Sequence, residues 1–420
     1  MPQHEENAPL FVEDFFRAKW REIMAALTRR FGSARFGEIE NAVQDAMERA
    51  LATWPVAGVP ENPGGWLYMV ACNKILDGLK AETRGREKAP SVKQALYPED
   101  EVAPAWLGPL EDDVLQLIFV CCHPRMNARE SVTITLRYVC GLGCGEIAAL
   151  MLSTEQAVLK QLNRTKIKIR DRPGPFVPPD KAEQRERMTQ VLQIVYLLFS
   201  AGYSAPLGEH LVQRELCREA QRLIDLLLAS HVADDGRVWA LAALIAFQAS
   251  RLPARADSDG RLLRLSEQDR TLWDQEQITR GMMCLERSMS GAGRSRYHLE
   301  AAIAACHAAA VSFEDTDWHR ILAFYDDLRE LAPSPIVEMN RAVAVMMVDG
   351  VDAGLSVLTA LRDNRKLRDN GLFHSLLADF HRRAGDMTKA SEFYNLALTQ
   401  SPNTSLQRFL TDQMLACSVE

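Results

Sequence analysis

At 420 residues, with 47% hydrophobic and 25% charged content, the chain can bury full cores and is expected to divide into about two to four domains. No run approaches the roughly 18 to 20 apolar residues of a membrane span. Met1 to Leu10 is polar and acidic, and nine cysteines are scattered without framework spacing, so a cytoplasmic protein with no membrane partner is expected. The net charge of −7 is uneven: residues 1–172 hold 22 Lys/Arg against 23 Asp/Glu, residues 173–420 hold 27 against 33, and the first part is the better candidate for a polyanion binder.

Apolar residues recur at three- and four-residue spacing almost everywhere, which predicts an all-α fold. Phe11 to Phe31 reads as a first helix. Phe36 to Thr53 reads as a second, with Ile39, Val43, Met47, Ala50 and Leu51 on one stripe. The Pro/Gly-rich segment Trp54 to Gly65 should break it, and Asn62-Pro63 should start a third helix running to about Thr83. A linker over 86–110 separates residues 10–85 from a second helical unit over 111–172, which ends at the proline-rich stretch Arg172 to Pro179.

Within that unit, CGLGCGEIAALMLSTEQAVLKQLNRTKIKIR reads as helix, short turn and second helix. Ser153-Thr154 caps the second helix, with Val158, Leu162 and Ile169 facing inward. The outward face carries Gln156, Lys160, Gln161, Asn163, Arg164 and Lys168, amides and cations of the kind that meet base edges and phosphates in a major groove. A basic helix face that is simply solvated is the competing account. Residues 181–420 read as amphipathic helical repeats. Leu372 to Pro402 fits the tetratricopeptide pattern, with Gly385-Asp386 at the turn and Ala390, Tyr394 and Ala397 on the second helix; Gly354 and Leu358 precede Ala390 and Tyr394 by 36 positions each.

Three segments in this order, ENAVQDAMERALATWP, PGGWLYMVACNKILDGLKAETR and the helix-turn-helix, resemble regions two and four of extracytoplasmic-function (group four) RNA polymerase sigma factors. The whole chain is similar to the subgroup with a long tetratricopeptide-like C-terminal domain, VYLLFSAGYSAPLGEHLVQRELCREAQRL and RADSDGRLLRLSEQDRTLWDQEQITRG continuing the likeness. The resemblance implies region two over 10–85 and region four over 111–172, a promoter-recognition subunit binding the clamp and flap of core polymerase. It implies Gln44, Asp45 and Glu48 facing the core enzyme, a base-capturing loop over Trp54 to Gly65, and Asn73, Lys74, Lys80 and Arg84 on the −10 single strand. The helix-turn-helix residues named above would read −35 double-stranded DNA. The sequence departs from the family at Gly143-Cys144-Gly145, where a Ser or Thr cap is usual, and at Leu159 and Thr165 on the recognition helix.

No glycine-rich phosphate loop, nucleophile elbow or His-rich helix is present, so neither catalysis nor a cofactor is expected. Cys121-Cys122-His123 and Cys140/Cys144 lack the paired spacing of a zinc site, and a thiol switch at Cys140/Cys144 is a weaker reading than packing. His298, His307 and His319 read as packed or surface histidines. Trp54, Trp66 and Tyr68 read as core before base-stacking residues. The rival function is a scaffold whose repeats bind a protein partner while a degenerate helix-turn-helix no longer reads promoters.

Overall fold

Helical periodicity in the sequence closes into eighteen α-helices, with no β-strand among the described residues. The computed structural model describes residues 8–85, 110–123, 126–151, 153–170, 181–203, 214–257, 261–290, 293–401 and 404–417. Among them no helix is long and apolar enough to cross a membrane. They divide into two compact units, one up to Ile194 and one from Val195.

The first unit contains α1 (Ala8–Phe31), α2 (Phe36–Ala57), α3 (Pro63–Gly85), α4 (Leu110–Cys121), α5 (Ala128–Tyr138), α6 (Cys144–Leu150), α7 (Glu155–Arg170) and the first half of α8 (Lys181–Tyr203). Its core takes Ile23, Met24 and Leu27 from α1, Phe36, Ile39 and Val43 from α2, Leu67 from α3 and Phe119 from α4, all nearly or fully out of solvent. The second helix outruns its expected end. Pro55 falls in its last turn, where it leaves the carbonyl of the exposed Leu51 without its i→i−4 donor, and the stop is Gly58, whose φ of 86° favours glycine and whose N–H reaches Trp54 O at 3.0 Å. The loop expected over Trp54 to Gly65 is therefore reduced to the residues between Ala57 and Pro63. At its far end Asn62 caps α3, its Oδ1 accepting from Gly65 N at 2.9 Å.

The second unit contains the rest of α8 with α9 (Arg214–Leu228), α10 (Gly236–Ser250), α11 (Gln275–Ser288), α12 (Arg296–Ala309), α13 (Trp318–Leu331), α14 (Pro335–Asp349), α15 (Val351–Ala360), α16 (Gly371–Arg383), α17 (Met387–Thr399) and α18 (Thr404–Ala416). The hub is α10, GRVWALAALIAFQAS. A helix apolar on nearly every face must be surrounded, and α10 packs against α9, α11 and α12. From α12 onward each helix packs on the next in chain order. The pair α16/α17 turns at Gly385 (φ 81°) and Asp386, and Ala390, Tyr394 and Ala397 are buried as the pattern requires. Gly354 is buried where a Cβ would meet Met346 Cβ and Phe380 Cε2 at 2.7 Å, which explains a glycine inside α15. The linker assigned to 86–110, the proline-rich stretch 172–179 and Pro402 lie outside the described residues, except for Leu110.

Candidate nucleic-acid interface

The seam between α6 and α7 is built from local rules. Gly143 offers no side-chain cap to α6, and Glu146 supplies the bond instead, its Oε2 accepting from Gly143 N at 2.6 Å. Thr154 caps α7, with Oγ1 accepting from Ala157 N at 3.2 Å. Along α7 the residues Val158, Leu162, Thr165 and Ile169 form the buried stripe. Thr165 thus belongs to the inner face; its hydroxyl donates to Gln161 O at 2.9 Å, so the polar group is satisfied without a partner from another helix. Leu159 is on the outside, 45% exposed.

On the outward face Gln156, Lys160, Asn163 and Arg164 are exposed and Gln161 is half-buried. Lys160 and Arg164 are exposed and form no ion pair with a described residue. Lys168 differs: its Nζ meets Glu130 Oε1 at 2.5 Å. Glu130 also closes a capping box with Asn127 at the start of α5. Burial would raise the Glu130 carboxyl, but the Lys168 ammonium and the Asn127 N–H outweigh it and hold the group below its ordinary value.

A concentrated polar junction ties α7 to α2 and α5. Glu40, on α2, is buried and accepts from Arg137 Nε at 2.9 Å, Tyr138 Oη at 2.9 Å and Lys166 Nζ at 2.8 Å. Arg137 also donates to Leu142 O at 3.1 Å and lies over the Trp20 ring at 4.8 Å, while Phe36 and Tyr138 stack at 5.1 Å. The junction therefore joins α1, α2, α5 and α7. Burial of Glu40 is overcome by Lys166 and Arg137, so its carboxyl is depressed and ionised; burial and that same carboxylate push the Tyr138 phenol up, keeping it a donor. The sequence reading missed this junction. The signal was present: Glu40 is four residues after Phe36 and three before Val43, on the apolar stripe itself.

The residues expected to face polymerase and the −10 strand lie on neighbouring helices. Asp45 and Arg49 of α2 and Val70, Asn73, Lys74 and Asp77 of α3 line one groove, and Lys74 is ion-paired with Asp45. Gln44 donates to Glu48 at 3.0 Å on the exposed side of α2, and Lys80 is 3.5 Å from Asp77. The Arg84 side chain lies outside the described residues. Trp54 stacks on Phe16 at 5.8 Å and meets Trp66 edge-on at 5.6 Å, and Tyr68 is buried, which places the three rings in packing.

Cys121 and Cys122 are fully buried, and burial raises both thiols, keeping them protonated. Cys140 is buried and Cys144 half-buried, and burial raises the Cys144 thiol. No group of three or more His, Cys, Asp or Glu among the described residues is arranged to hold a metal ion.

Residues 187–289 match a family of unknown function, DUF6596. Over 398 residues the chain is 34% identical to an uncharacterized protein of Rhizobium meliloti (strain 1021), an alignment covering 94% of this chain and 92% of that protein.

Proposed function

From the premise that the chain belongs to one family with the Rhizobium meliloti protein over nearly its whole length, we propose that it is a promoter-recognition subunit of RNA polymerase of the extracytoplasmic-function sigma type, acting in the cytoplasm on the nucleoid. The observation that carries the reading is α7, a capped helix following a short turn after α6. It seats one apolar stripe inward and presents Gln156, Lys160, Asn163 and Arg164 outward. In this reading α1 to α3 bind core polymerase and the −10 strand, α4 to α7 bind the −35 element, and the helices after α8 form a tetratricopeptide-like domain that regulates or recruits. No catalysis and no cofactor enter.

A sigma factor presents its two regions to separate promoter elements, whereas here Glu40 ties α2 to α5 and α7. Loading onto polymerase must then exchange the contacts of Lys166 and Arg137 with Glu40 for others. The test is run-off transcription by purified core enzyme with and without the chain, on the DNA upstream of its own gene. Discrete new transcripts, reduced at least tenfold by Lys160→Ala with Arg164→Ala, support the reading. Absence of both core binding and transcripts overturns it.

A scaffold with a helix-turn-helix that no longer reads DNA draws support from one observation: Lys166 and Lys168, two bases of the helix, are neutralised by Glu40 and Glu130. Salt separates the two readings, since contacts to several phosphates impose a steep fall of affinity with ionic strength.

A further inference from the structure

Arginine cannot shed its charge, so one taken out of water needs a carboxylate or another anion beside it. The second unit mostly obeys this. Arg237 meets Asp235 at 2.6 Å, Arg341 meets Asp326 at 2.7 Å, and Arg264 and Arg383 meet Asp379 at 3.0 and 2.8 Å. One place does not. Arg251, at the C-terminal end of α10, and Arg255 and Arg270 in the segment between α10 and α11 are partly buried, and no carboxylate of a described residue is within ion-pair distance of any of them.

Two of the three share a ring. Arg251 and Arg270 both lie over the Trp273 ring, at 5.4 and 5.0 Å, and Arg255 lies over Tyr203 at 3.9 Å. Among the described residues Arg251 donates to two amide oxygens at long range, Gln268 Oε1 at 3.4 Å and Gln248 Oε1 at 3.5 Å. Arg270 is committed to the end of α12, donating to His307 O and Ala310 O at 2.7 Å, so it supplies charge and not free donors. Arg255 Nε, Trp273 Nε1 and His307 Nδ1 are buried with no hydrogen-bond partner among the described residues. Burial and the charges of Arg251 and Arg270 push His307 down to about 3, so the ring is neutral at physiological pH and does not add to the repulsion. The acids nearest in effect, Glu314 and Asp315, are exposed and act on Arg270.

From this convergence of unneutralised guanidinium groups and unpartnered donors, we infer that Arg251 and Arg255 form a binding site for a small phosphate-type oxyanion in the second unit. The chemistry selects the ligand. Guanidinium forks match tetrahedral oxyanions, and Trp273, 3% exposed with two guanidinium groups already over it, leaves no ring face for a nucleobase. A compact phosphate or phosphomonoester fits where a nucleotide does not. Tyr203, Arg251, Arg255, Arg270 and Trp273 all fall inside the DUF6596 segment. The inference does not depend on how α7 is used.

The experiment uses the full chain. Thermal unfolding and titration calorimetry with sodium phosphate are compared with sodium chloride at matched ionic strength, then repeated with glycerol 3-phosphate. The expected result is a saturable rise in Tm and a measurable heat with phosphate alone, both lost in Arg251→Gln and Arg255→Gln. A tighter glycerol phosphate arm assigns the site to phosphomonoesters, and an equal or weaker one to free phosphate. Should the variants misfold, the unaltered chain answers by arginine-specific phenylglyoxal labelling: phosphate should protect Arg251 and Arg255 at least severalfold relative to exposed Arg164. A response that never saturates, binding that survives both variants, or labelling unchanged by phosphate overturns the site.

Discussion

Glu40 in the first unit and the Arg251/Arg255 pair in the second are both charged groups withdrawn from water, and they are treated in opposite ways. Glu40 receives three donors from two other helices, each within 3 Å. The arginines receive rings and two long amide contacts. A buried charge that is fully partnered is a joint of the scaffold, whereas one left without a counter-charge is costly, and that is the ground for the oxyanion site proposed at Arg251 and Arg255. The same contrast separates Lys166 and Lys168, spent on internal carboxylates, from Lys160 and Arg164, which are available to a polyanion.

The contrast can be broken most forcefully at Glu40. Glu40→Ala strands Arg137, Lys166 and the Tyr138 hydroxyl, and should cost the first unit about 3–5 kcal/mol, measured by denaturant unfolding; a loss below about 1 kcal/mol would reduce the junction to an ordinary surface pair. A double-mutant cycle with Lys166→Met should return a coupling of about 0.5–3 kcal/mol, because removing both partners leaves less charge unpaired than removing one.

Acidity gives a second handle. The Glu40 carboxyl is depressed in the folded state, so its contribution is full above the ordinary carboxylate value and is lost as pH falls through the lowered folded value. Glu40→Gln should flatten that part of the stability curve. His307 acts at higher pH: between its ordinary 6.5 and its folded value of about 3 the unfolded chain holds the extra proton, so stability rises with pH across that window and is lost on acidification. His307→Gln should remove the slope, seen by acid titration of the unfolding midpoint. The smallest effect belongs to Arg255→Gln in chloride. With no ion pair to lose and one ring contact forfeited, it should move stability by no more than about 1 kcal/mol, while a larger loss would make Arg255 a structural residue like Glu40.

Much of α7 was legible in advance. Val158, Leu162 and Ile169 recur at helical spacing and are buried, and Gln156, Lys160, Asn163 and Arg164 fall between them and are exposed. The 36-residue offset between Gly354/Leu358 and Ala390/Tyr394 likewise gave two helices with those positions buried. The groove of Asp45, Asn73 and Lys74 was only half legible: spacing placed each residue on its helix, but not the Lys74–Asp45 ion pair across α2 and α3. Lys168 was read as outward-facing; it is exposed, yet its charge is spent on Glu130.

The sequence by itself determined the helices, their caps and which side of each is apolar, because those follow from residues three or four apart along one chain. Tertiary structure alone decided which charges are free. Glu40 meets Lys166 across 126 positions, and Arg251, Arg255 and Arg270 gather around Trp273 and Tyr203 through the packing of separate helices. Electrostatic partnership depends on distance in space and on exclusion of water, and neither is written in local spacing.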